Sequence, residues 1–472
     1  MIILNRFRWA FCQLERLRHC LRPRIRQALD ELPETLDETY ERTLLDIGRD
    51  NWEYAHRLFQ CIIVACRPLG VEELAEFLAF ESGEGGRLTF QEDWRPEDPR
   101  DTVLSTCSSL ITVVNVEGST VIQFSHFSVK EYLTSTRIAE GSASRYSIAL
   151  EPAHLFVTQA CLSFLLQLDK HVTKEHIEES PLARYASLYW TIHAKFGNVS
   201  SHAEDLIKML FDPKSHHFAN WMWIYDPIRD RFSLRFSNAP PRPKWAPLHI
   251  AAQLDFHRVV EWLITTCAQD VNVSHDSRTP LHIASGKGNF MAARTLLTHD
   301  ADVNAAGGIR WTPLHYASYN GHLTVARVLL EYGADVNFKI NMGSTPLRIL
   351  SENNGNVELA QLLLDHGADP HIRSISGWDS LYTALEFGYA GLAKLLLEYG
   401  ADPNARDVYG RTLLHVSSQC GSRKVASELL KLDVDINARD NQGQTSLQLA
   451  LGSMSSRREE VVQLLLEHGG KY

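Results

Sequence analysis

The sequence predicts a mainly α-helical protein, in which a winged-helix (α+β) domain and a helical spacer precede an α-solenoid of short repeats. The first observation is a block that recurs seven times in the C-terminal half, at intervals of 33 or 34 residues. The second is a series of helical segments followed by a β-hairpin signal, upstream of the repeats. Apolar residues make up 44 % and charged residues 22 % of the 472 residues, which is typical of folded globular domains and not of disordered or fibrous chains.

Each repeat opens with a helix-start motif. The first copy begins at Ala246 as Ala-Pro-Leu-His, and later copies begin at 279, 312, 345, 379, 412 and 445. In the third copy, Thr312 is expected to cap a first helix, with Pro313 at the first position, where no needed donor is lost. Gly321 supplies the left-handed residue that ends this helix, and a second amphipathic helix runs to Gly333. One such unit cannot bury its apolar face alone, so neighbouring units must stack.

The motif and its period closely resemble the ankyrin repeat over residues 241–472, about half of the chain. The resemblance implies stacked helix pairs joined by hairpins, and a non-enzymatic role in which a protein ligand binds the concave face and the hairpin tips. Asp255, Asp300 and Asp433 depart from the pattern, because glycine is expected at these turns. The fourth copy has one extra residue around 353–356 and the seventh has three around 452–456, and the first and last copies are expected to act as caps.

Residues 53–140 follow a different pattern, which predicts a winged helix because helices precede a hairpin. The expected elements are helices over 54–65, from 71 onward and over 102–110, a loop over 81–99, and strands over 111–116 and 120–124. Many winged helices bind DNA, and such domains are basic. This region carries seven basic and fourteen acidic residues, a net charge of −7, so we interpret it as a module that packs against protein.

A second resemblance covers most of the remaining chain. The segments Ala28–Glu41, Arg67–Leu69 and Phe124–Leu133 resemble the winged-helix region of fungal NACHT–ankyrin receptors, which are NLR-like (STAND) proteins. The segments Pro181–Ala186 and Phe211–Pro213 resemble the helical spacer of those receptors. The resemblance implies four parts, which are a helical stub resembling the end of a NACHT domain (1–52), a winged-helix domain (53–140), a helical spacer (141–240) and seven ankyrin repeats (241–472).

The phosphate-binding loop of a NACHT domain does not occur in this sequence. Such a loop ends in Gly-Lys-Ser/Thr, and the nearest string, Gly286-Lys287-Gly288, lies within a repeat. We therefore expect a chain without its nucleotide-binding domain, which acts as the sensor half of such a receptor in self/non-self recognition or signalling. The alternative is part of a nucleotide-driven switch whose NTPase domain is supplied by upstream sequence or by another chain. In that case the resemblance implies that His126 contacts the ADP phosphate, and otherwise His126 caps or packs a helix.

No enzyme, metal or cofactor signature is predicted. The sequence lacks a Gly-x-Ser-x-Gly elbow, the kinase motifs and His-Glu-x-x-His, and none of its eight cysteines forms a Cys-x-x-Cys pair. The repeat histidines hold one fixed place after the helix start, so we expect them to form hydrogen bonds within and between repeats and not to bind metal. These histidines are His249, His282, His315 and His415.

Aromatic residues of the array are the predicted protein-binding residues, because large aromatics at exposed positions favour interfaces. They are Trp311, Tyr319, Trp378, Phe387 and Tyr409. Packing between repeats is the alternative for each of them.

Charge and hydropathy bear on other partners. The net charge of −10 gives no overall attraction to nucleic acid or anionic membrane. Residues 1–29 carry a net charge of +6, which we expect to pair with the acidic segment 30–53 or with a nucleotide-binding domain, a nucleic-acid or membrane arm being the alternative. No apolar run approaches the length of a membrane span, and Met1–Leu4 is too short for a signal-peptide core. We therefore expect a soluble protein of the cytoplasm, or alternatively the nucleus.

Overall fold

The computed structural model describes residues 35–48, 50–83, 87–107, 110–116, 118–170, 172–229, 245–375, 377–432, 434–452 and 458–472. The described residues fall into two compact units, one on each side of the boundary between residues 243 and 244. The protein is mainly helical, as predicted. The basic segment 1–29 and most of the predicted NACHT-like stub lie outside the described residues.

The N-terminal unit opens with helices and short strands. Thr35 caps the first helix, because its hydroxyl accepts the N–H of Glu38 at 3.1 Å while the Glu38 carboxylate accepts the N–H of Thr35. The elements up to residue 140 are α1 (Leu36–Leu45), α2 (Trp52–Val64), β1 (Leu69–Gly70), α3 (Val71–Glu76), β2 (Phe80–Ser82), β3 (Leu88–Phe90), α4 (Pro99–Cys107), β4 (Ile111–Val116), β5 (Ser119–Phe124), α5 (Phe127–Leu133) and α6 (Thr136–Glu140).

The predicted hairpin is confirmed as β4 and β5, which pair antiparallel with Ile111 opposite Phe124. Strand β1 pairs with the other edge of β5, so the sheet order is β1-β5-β4. Helix α4 begins at Pro99, earlier than predicted, because the Asp98 carboxylate accepts the N–H of Asp101 and caps the helix there. These helices and this sheet are consistent with an α+β domain ahead of the solenoid.

The expectation of a plain loop over 81–99 is wrong. Strands β2 and β3 form a second antiparallel hairpin, in which Phe80 lies opposite Phe90, and a 3₁₀ turn follows at Glu92–Trp94. Phe80, Leu88 and Phe90 are buried, so apolar contacts to the rest of the unit hold this hairpin in place.

The region between the sheets and the repeats is helical, as the resemblance implied. Its core contains Trp221, whose indole N–H donates to the carbonyl of Ser187 at 3.0 Å. The ring of Trp221 lies edge-on to that of Trp190, with 5.3 Å between the centroids. Its helices are α7 (Leu150–Gln167), α8 (Lys174–Glu178), α9 (Pro181–Ala194), α10 (Val199–His202), α11 (Glu204–Phe211) and α12 (His217–Arg229).

The C-terminal unit is the predicted solenoid, in which each repeat contributes two helices. The first and second helices alternate as α13 (Pro247–Leu254), α14 (His257–Thr265), α15 (Pro280–Lys287), α16 (Phe290–Thr298), α17 (Pro313–Asn320), α18 (Leu323–Glu331), α19 (Pro346–Asn353), α20 (Val357–Asp365), α21 (Ser380–Phe387), α22 (Ala390–Glu398), α23 (Leu413–Cys420), α24 (Arg423–Leu429), α25 (Ser446–Gly452) and α26 (Arg458–Glu467). Asp255 and Asp300 adopt the left-handed conformation, with φ of 62° each, that Gly321 adopts at 75°. Asp433 lies outside the described residues.

Three of the four repeat histidines, His249, His282 and His415, join one repeat to the next, as predicted. The backbone N–H of Thr279 donates to Nδ1 of His282 at 3.1 Å, which leaves the proton of that ring on Nε2. Nε2 of His282 then donates to the carbonyl of Trp311 in the next repeat at 2.9 Å. Nε2 of His415 lies 3.2 Å from the carbonyl of Gln444 in the same way. These bonds fix the spacing of neighbouring first helices.

Candidate functional site

Each connection between successive repeats folds into a tight turn. In the turn at 340–343, the N–H of Ile340 donates to the carbonyl of Ser344, and the N–H of Gly343 donates to the carbonyl of Ile340. Gly343 is left-handed, with φ of 76°, and glycines hold the equivalent place in the turns at 374–377, 407–410 and 440–443. Arg310 takes this place in the turn at 307–310, with φ of 62°.

Each of four successive turns carries at least one exposed apolar residue at a central position. We call these residues the fingertip row, which consists of Ile309, Met342, Ile375, Val408 and Tyr409. Their exposed fractions are 57, 59, 73, 86 and 63 %, respectively. The turns on either side carry polar residues instead, Asp276 and Ser277 before the row and Asn441 and Gln442 after it. An exposed apolar row that polar turns border on both sides is typical of an interaction surface.

The turns of the fingertip row lie against one another, because backbone groups bond from tip to tip. Within the row these bonds run from the N–H of Asn341 to the carbonyl of Ile309 (3.3 Å) and from the N–H of Ile375 to the carbonyl of Met342 (3.1 Å), and the N–H of Asn441 in the bordering polar turn donates to the carbonyl of Tyr409 (3.0 Å). A side chain links the third and fourth repeats of the row, since Arg373 donates to the carbonyl of Ala405 at 2.8 Å. The row is therefore a continuous edge of the array.

The five aromatic residues predicted to bind protein differ in exposure. Tyr319, Phe387 and Tyr409 are exposed at 44, 49 and 63 %, and Tyr409 belongs to the fingertip row. Trp311 and Trp378 are half-buried. Tyr319 and Phe387 lie in the last turns of the first helices α17 and α21.

The expectation of exposed indoles is wrong for Trp311 and Trp378. The ring of Trp311 packs at 5.0 Å from Tyr316 and 5.5 Å from Tyr319, between centroids, so it supports the exposed Tyr319 ring from behind. Trp378 stacks on Tyr382 at 5.1 Å. The structure brings Trp311 and Tyr319 together as one pair.

Ile309, Met342, Ile375 and Val408 were not predicted from the sequence. The sequence does contain a signal for them, because each lies one or two residues before a left-handed turn position, as Met342 does before Gly343. Polar residues and glycine are favoured at such places, so an apolar residue there has no local structural reason. Aromatic residues alone do not reveal this pattern, because four of the five residues of the row are aliphatic.

His126 caps a helix in this structure. Its Nδ1 accepts the N–H of Ser128 at 3.3 Å, at the first turn of α5, and lies 2.6 Å from the Ser128 hydroxyl. The same hydroxyl lies 2.8 Å from the hydroxyl of Tyr40 in α1. The geometry therefore gives His126 the capping role that the sequence offered as one of two alternatives.

A buried cluster in the N-terminal unit was not predicted. Nε2 of His193 lies 2.8 Å from the hydroxyl of Tyr185 and 3.6 Å from the sulfur of Cys66, while Nδ1 lies 2.9 Å from Nδ1 of His154. Burial and the His154 ring lower the pKa of His193 to about 4, and burial raises the pKa of the Cys66 thiol. A neutral thiol beside a weakly basic imidazole does not form the thiolate that nucleophilic catalysis needs.

Two further features bear on chemistry and location. Among the residues that the structure describes, no group of three histidine, cysteine, aspartate or glutamate side chains is placed to hold a metal ion. None of the described helices combines the length and the apolar character that crossing a membrane requires.

The chain is similar to proteins that contain ankyrin repeats. A family model described as ankyrin repeats (3 copies) matches residues 232–307, 248–340, 304–374, 338–407 and 381–472, which together cover just over half of the chain. The azaphilone pigments biosynthesis cluster protein L of Monascus ruber is 32 % identical over 295 residues, which are 58 % of this chain and 61 % of that protein. The chain thus spans less than two thirds of this relative's length. The crystal structure of the human ASB11 ankyrin repeat domain is similar at 26 % identity and a TM-score of 0.40, covering 48 % of this chain and 100 % of that one.

Proposed function

Because the chain belongs to the ankyrin repeat family, we propose that it is a non-enzymatic protein that binds a protein ligand through the turns and the concave face of its array. The observation that carries this proposal is the fingertip row, a continuous exposed apolar edge with polar turns at both ends. A soluble monomeric domain rarely exposes such a contiguous apolar surface without a partner.

The aromatic side chains extend this surface into the first helices. Tyr319 and Phe387 are exposed in the last turns of α17 and α21, and Trp311 supports Tyr319. Tyrosine and tryptophan contribute large contact area with few rotatable bonds, which suits them to anchor a partner. We assign the protein-binding role to Trp311, Tyr319, Trp378, Phe387 and Tyr409 together with the rest of the fingertip row.

The finer proposal is that the chain is the sensor half of a fungal NLR-like receptor in the cytoplasm, with a NACHT-associated winged helix at 53–140, a spacer at 141–240 and repeats at 241–472. It rests on the sequence resemblance, and the three-stranded sheet with its flanking helices supports it. The Monascus ruber relative is named for a pigment biosynthesis cluster. A regulatory or scaffolding role beside the enzymes of a biosynthetic pathway is compatible with the binding proposal. A role in a nucleotide-driven switch would need an NTPase domain supplied by upstream sequence or by another chain.

Affinity capture with the full chain as bait tests the binding proposal. We expect a protein that the wild-type chain retains and that the double variant Trp311→Ala/Trp378→Ala loses. The variant should unfold at a lower midpoint, because both half-buried rings pack on neighbouring tyrosines, and circular dichroism checks that it is still folded under the capture conditions. Trp94→Ala is the matched control, because Trp94 is 48 % exposed in the other unit. Capture that survives the double variant and is lost with Trp94→Ala would place the binding surface outside the array.

A further inference from the structure

We propose that the fingertip row seats an extended or helical segment of a partner protein in which apolar residues are interspersed with acidic ones. This inference rests on the proposed function, and it names the chemistry of the partner and the part of the array that reads it. Two properties of the row carry it, its apolar exposure and the charge beside it.

The exposure of the fingertip row is unusual within this chain. Among the described residues, six large apolar side chains are more than 55 % exposed, and five of them form the row. The sixth is the C-terminal Tyr472. Scattered exposed apolar residues are normal on any protein, but a concentration of this kind at consecutive turns is not explained by folding. Burying these side chains against a partner would remove their apolar area from water.

The charge beside the row is basic. The four apolar turns, taken with one residue on each side, span 306–311, 339–344, 373–378 and 406–411. They contain five basic residues and one acidic residue. The basic residues are Arg310, Lys339, Arg373, Arg406 and Arg411.

The single carboxylate of these turns is already neutralised. Asp407 is paired with Arg411, with 2.8 Å between the Arg411 guanidinium and Asp407 Oδ2. Arg373 likewise lies 3.9 Å from Oδ2 of Asp379, which follows the third turn, so the unpaired positive charge comes from the other arginines and the lysine. Arg310 and Lys339 are exposed, and no ion pair of either occurs within the described part of the chain. An apolar edge with uncompensated positive charge favours a partner that supplies acidic residues at the same spacing.

An anionic membrane would match the same two properties. The array as a whole argues against it, because residues 245–472 contain 24 acidic and 19 basic residues. A net negative solenoid is repelled by an anionic bilayer at long range, whereas a peptide segment meets only the local charge of the row. The observations therefore favour a protein segment.

Selection from a phage-displayed library of random peptides on the immobilised full chain tests this inference. We expect enriched peptides that combine apolar residues with aspartate or glutamate, and we expect their affinity for Ile375→Ser/Val408→Ser to fall at least about tenfold, as for central interface residues. Lys339→Glu should lower the affinity of the chain for the same peptides and raise its affinity for lysine-rich versions of them. Both changes affect exposed side chains, so the fold should persist, and circular dichroism checks this.

Matched controls lie on the second helices, away from the turns. Met291→Ser removes an apolar side chain that is 41 % exposed in α16, and Arg327→Glu reverses an exposed charge in α18; neither should change peptide affinity. Enriched peptides without acidic bias, or sedimentation with phosphatidylserine vesicles that the tip variant abolishes, would overturn the inference. Peptides that depend on Trp311 and Trp378 but not on the row would leave the proposed function standing and remove this inference, whereas failure to enrich any peptide would count against both.

Discussion

The imidazole rings of His154 and His193 face each other between helices α7 and α9, with their Nδ1 atoms 2.9 Å apart. His193 is fully buried, and on its other side it meets the hydroxyl of Tyr185. Burial and the neighbouring ring lower the pKa of His193 to about 4, from an ordinary value of 6.5. Burial also lowers the pKa of His154. Two imidazoles at this distance cannot both be protonated without repulsion, so the pair favours the neutral state.

The first prediction is that the N-terminal unit loses stability in mild acid. In the unfolded chain His193 gains a proton below about pH 6.5, whereas in the folded chain it gains one only below about pH 4. The contribution of His193 to the free energy of unfolding is therefore fully present above pH 6.5. It falls by about 3 kcal/mol as the pH decreases toward 4. Urea unfolding followed by tryptophan fluorescence at several pH values measures this fall.

The His193→Gln variant provides the control for this prediction. It removes the titrating ring, so its free energy of unfolding should depend less steeply on pH between 6.5 and 4, even if it is lower at pH 7 through loss of the Tyr185 contact. An unchanged slope in the variant would mean that other histidines account for the acid sensitivity.

The second prediction concerns the fifth repeat, where Asp379 and Tyr382 replace the usual Thr–His pair. Asp379 stands at the threonine position and is buried, and its Oδ1 accepts the N–H of Tyr382 at 2.9 Å, which caps α21. Arg373 lies 3.9 Å from Oδ2 of Asp379. Burial raises the pKa of Asp379 despite this neighbour, which indicates that burying the negative charge is costly. The hydrogen bond that caps α21 is favourable.

Two substitutions at Asp379 separate the cap from the charge. Asp379→Asn keeps an oxygen for the Tyr382 N–H and removes the charge, so it should leave the free energy of unfolding within about 1 kcal/mol of the wild type or raise it. Asp379→Ala also loses the cap and should cost about 1 kcal/mol more than the asparagine variant. Urea unfolding of both variants measures the difference, and equal destabilisation would show that pairing with Arg373, and not the cap, stabilises this repeat.

Much of the array could be predicted from the sequence because local chemistry determines it. Threonine followed by proline marks where α15, α17 and α19 begin, since the cap and the first helical position lie next to each other in the chain. The left-handed Asp255 was likewise visible as a residue in the place of a turn glycine.

The remaining features depend on contacts between residues distant in sequence. Strand β3 has three residues, too few for a periodic pattern, and Phe90 packs on Phe164, with 5.4 Å between the ring centroids, in a helix that follows much later. The exposure of Trp311 depends on how Tyr316 packs against it. His154 and His193 belong to different helices, so no spacing rule relates them.

The third prediction is that His126 stabilises the fold and does not bind a nucleotide in this chain. His126→Ala removes the cap of α5 and should lower the free energy of unfolding by about 1 kcal/mol, whereas His126→Asn, which can accept the same N–H, should lower it less. Thermal unfolding of the three chains measures this order. Isothermal titration with ADP is the accompanying measurement, and sub-millimolar binding that His126→Ala abolishes would restore the nucleotide-switch alternative.

The fourth prediction compares two left-handed glycines of the array. A Cβ at Gly355 would lie 2.3 Å from the ring of Tyr389 in the next repeat, whereas a Cβ at Gly333 would have no atom within 4 Å. Both Gly→Ala variants incur left-handed strain of about 1–2 kcal/mol, since φ is 59° and 84°. Gly355→Ala must also displace Tyr389, whose hydroxyl donates to the carbonyl of Asn353, so it should cost about 1–3 kcal/mol more. Urea unfolding of the array by circular dichroism measures both values. Because the excess arises from one contact, it should disappear in a Tyr389→Ala background, and an excess that persists there would place the strain elsewhere in the fourth repeat.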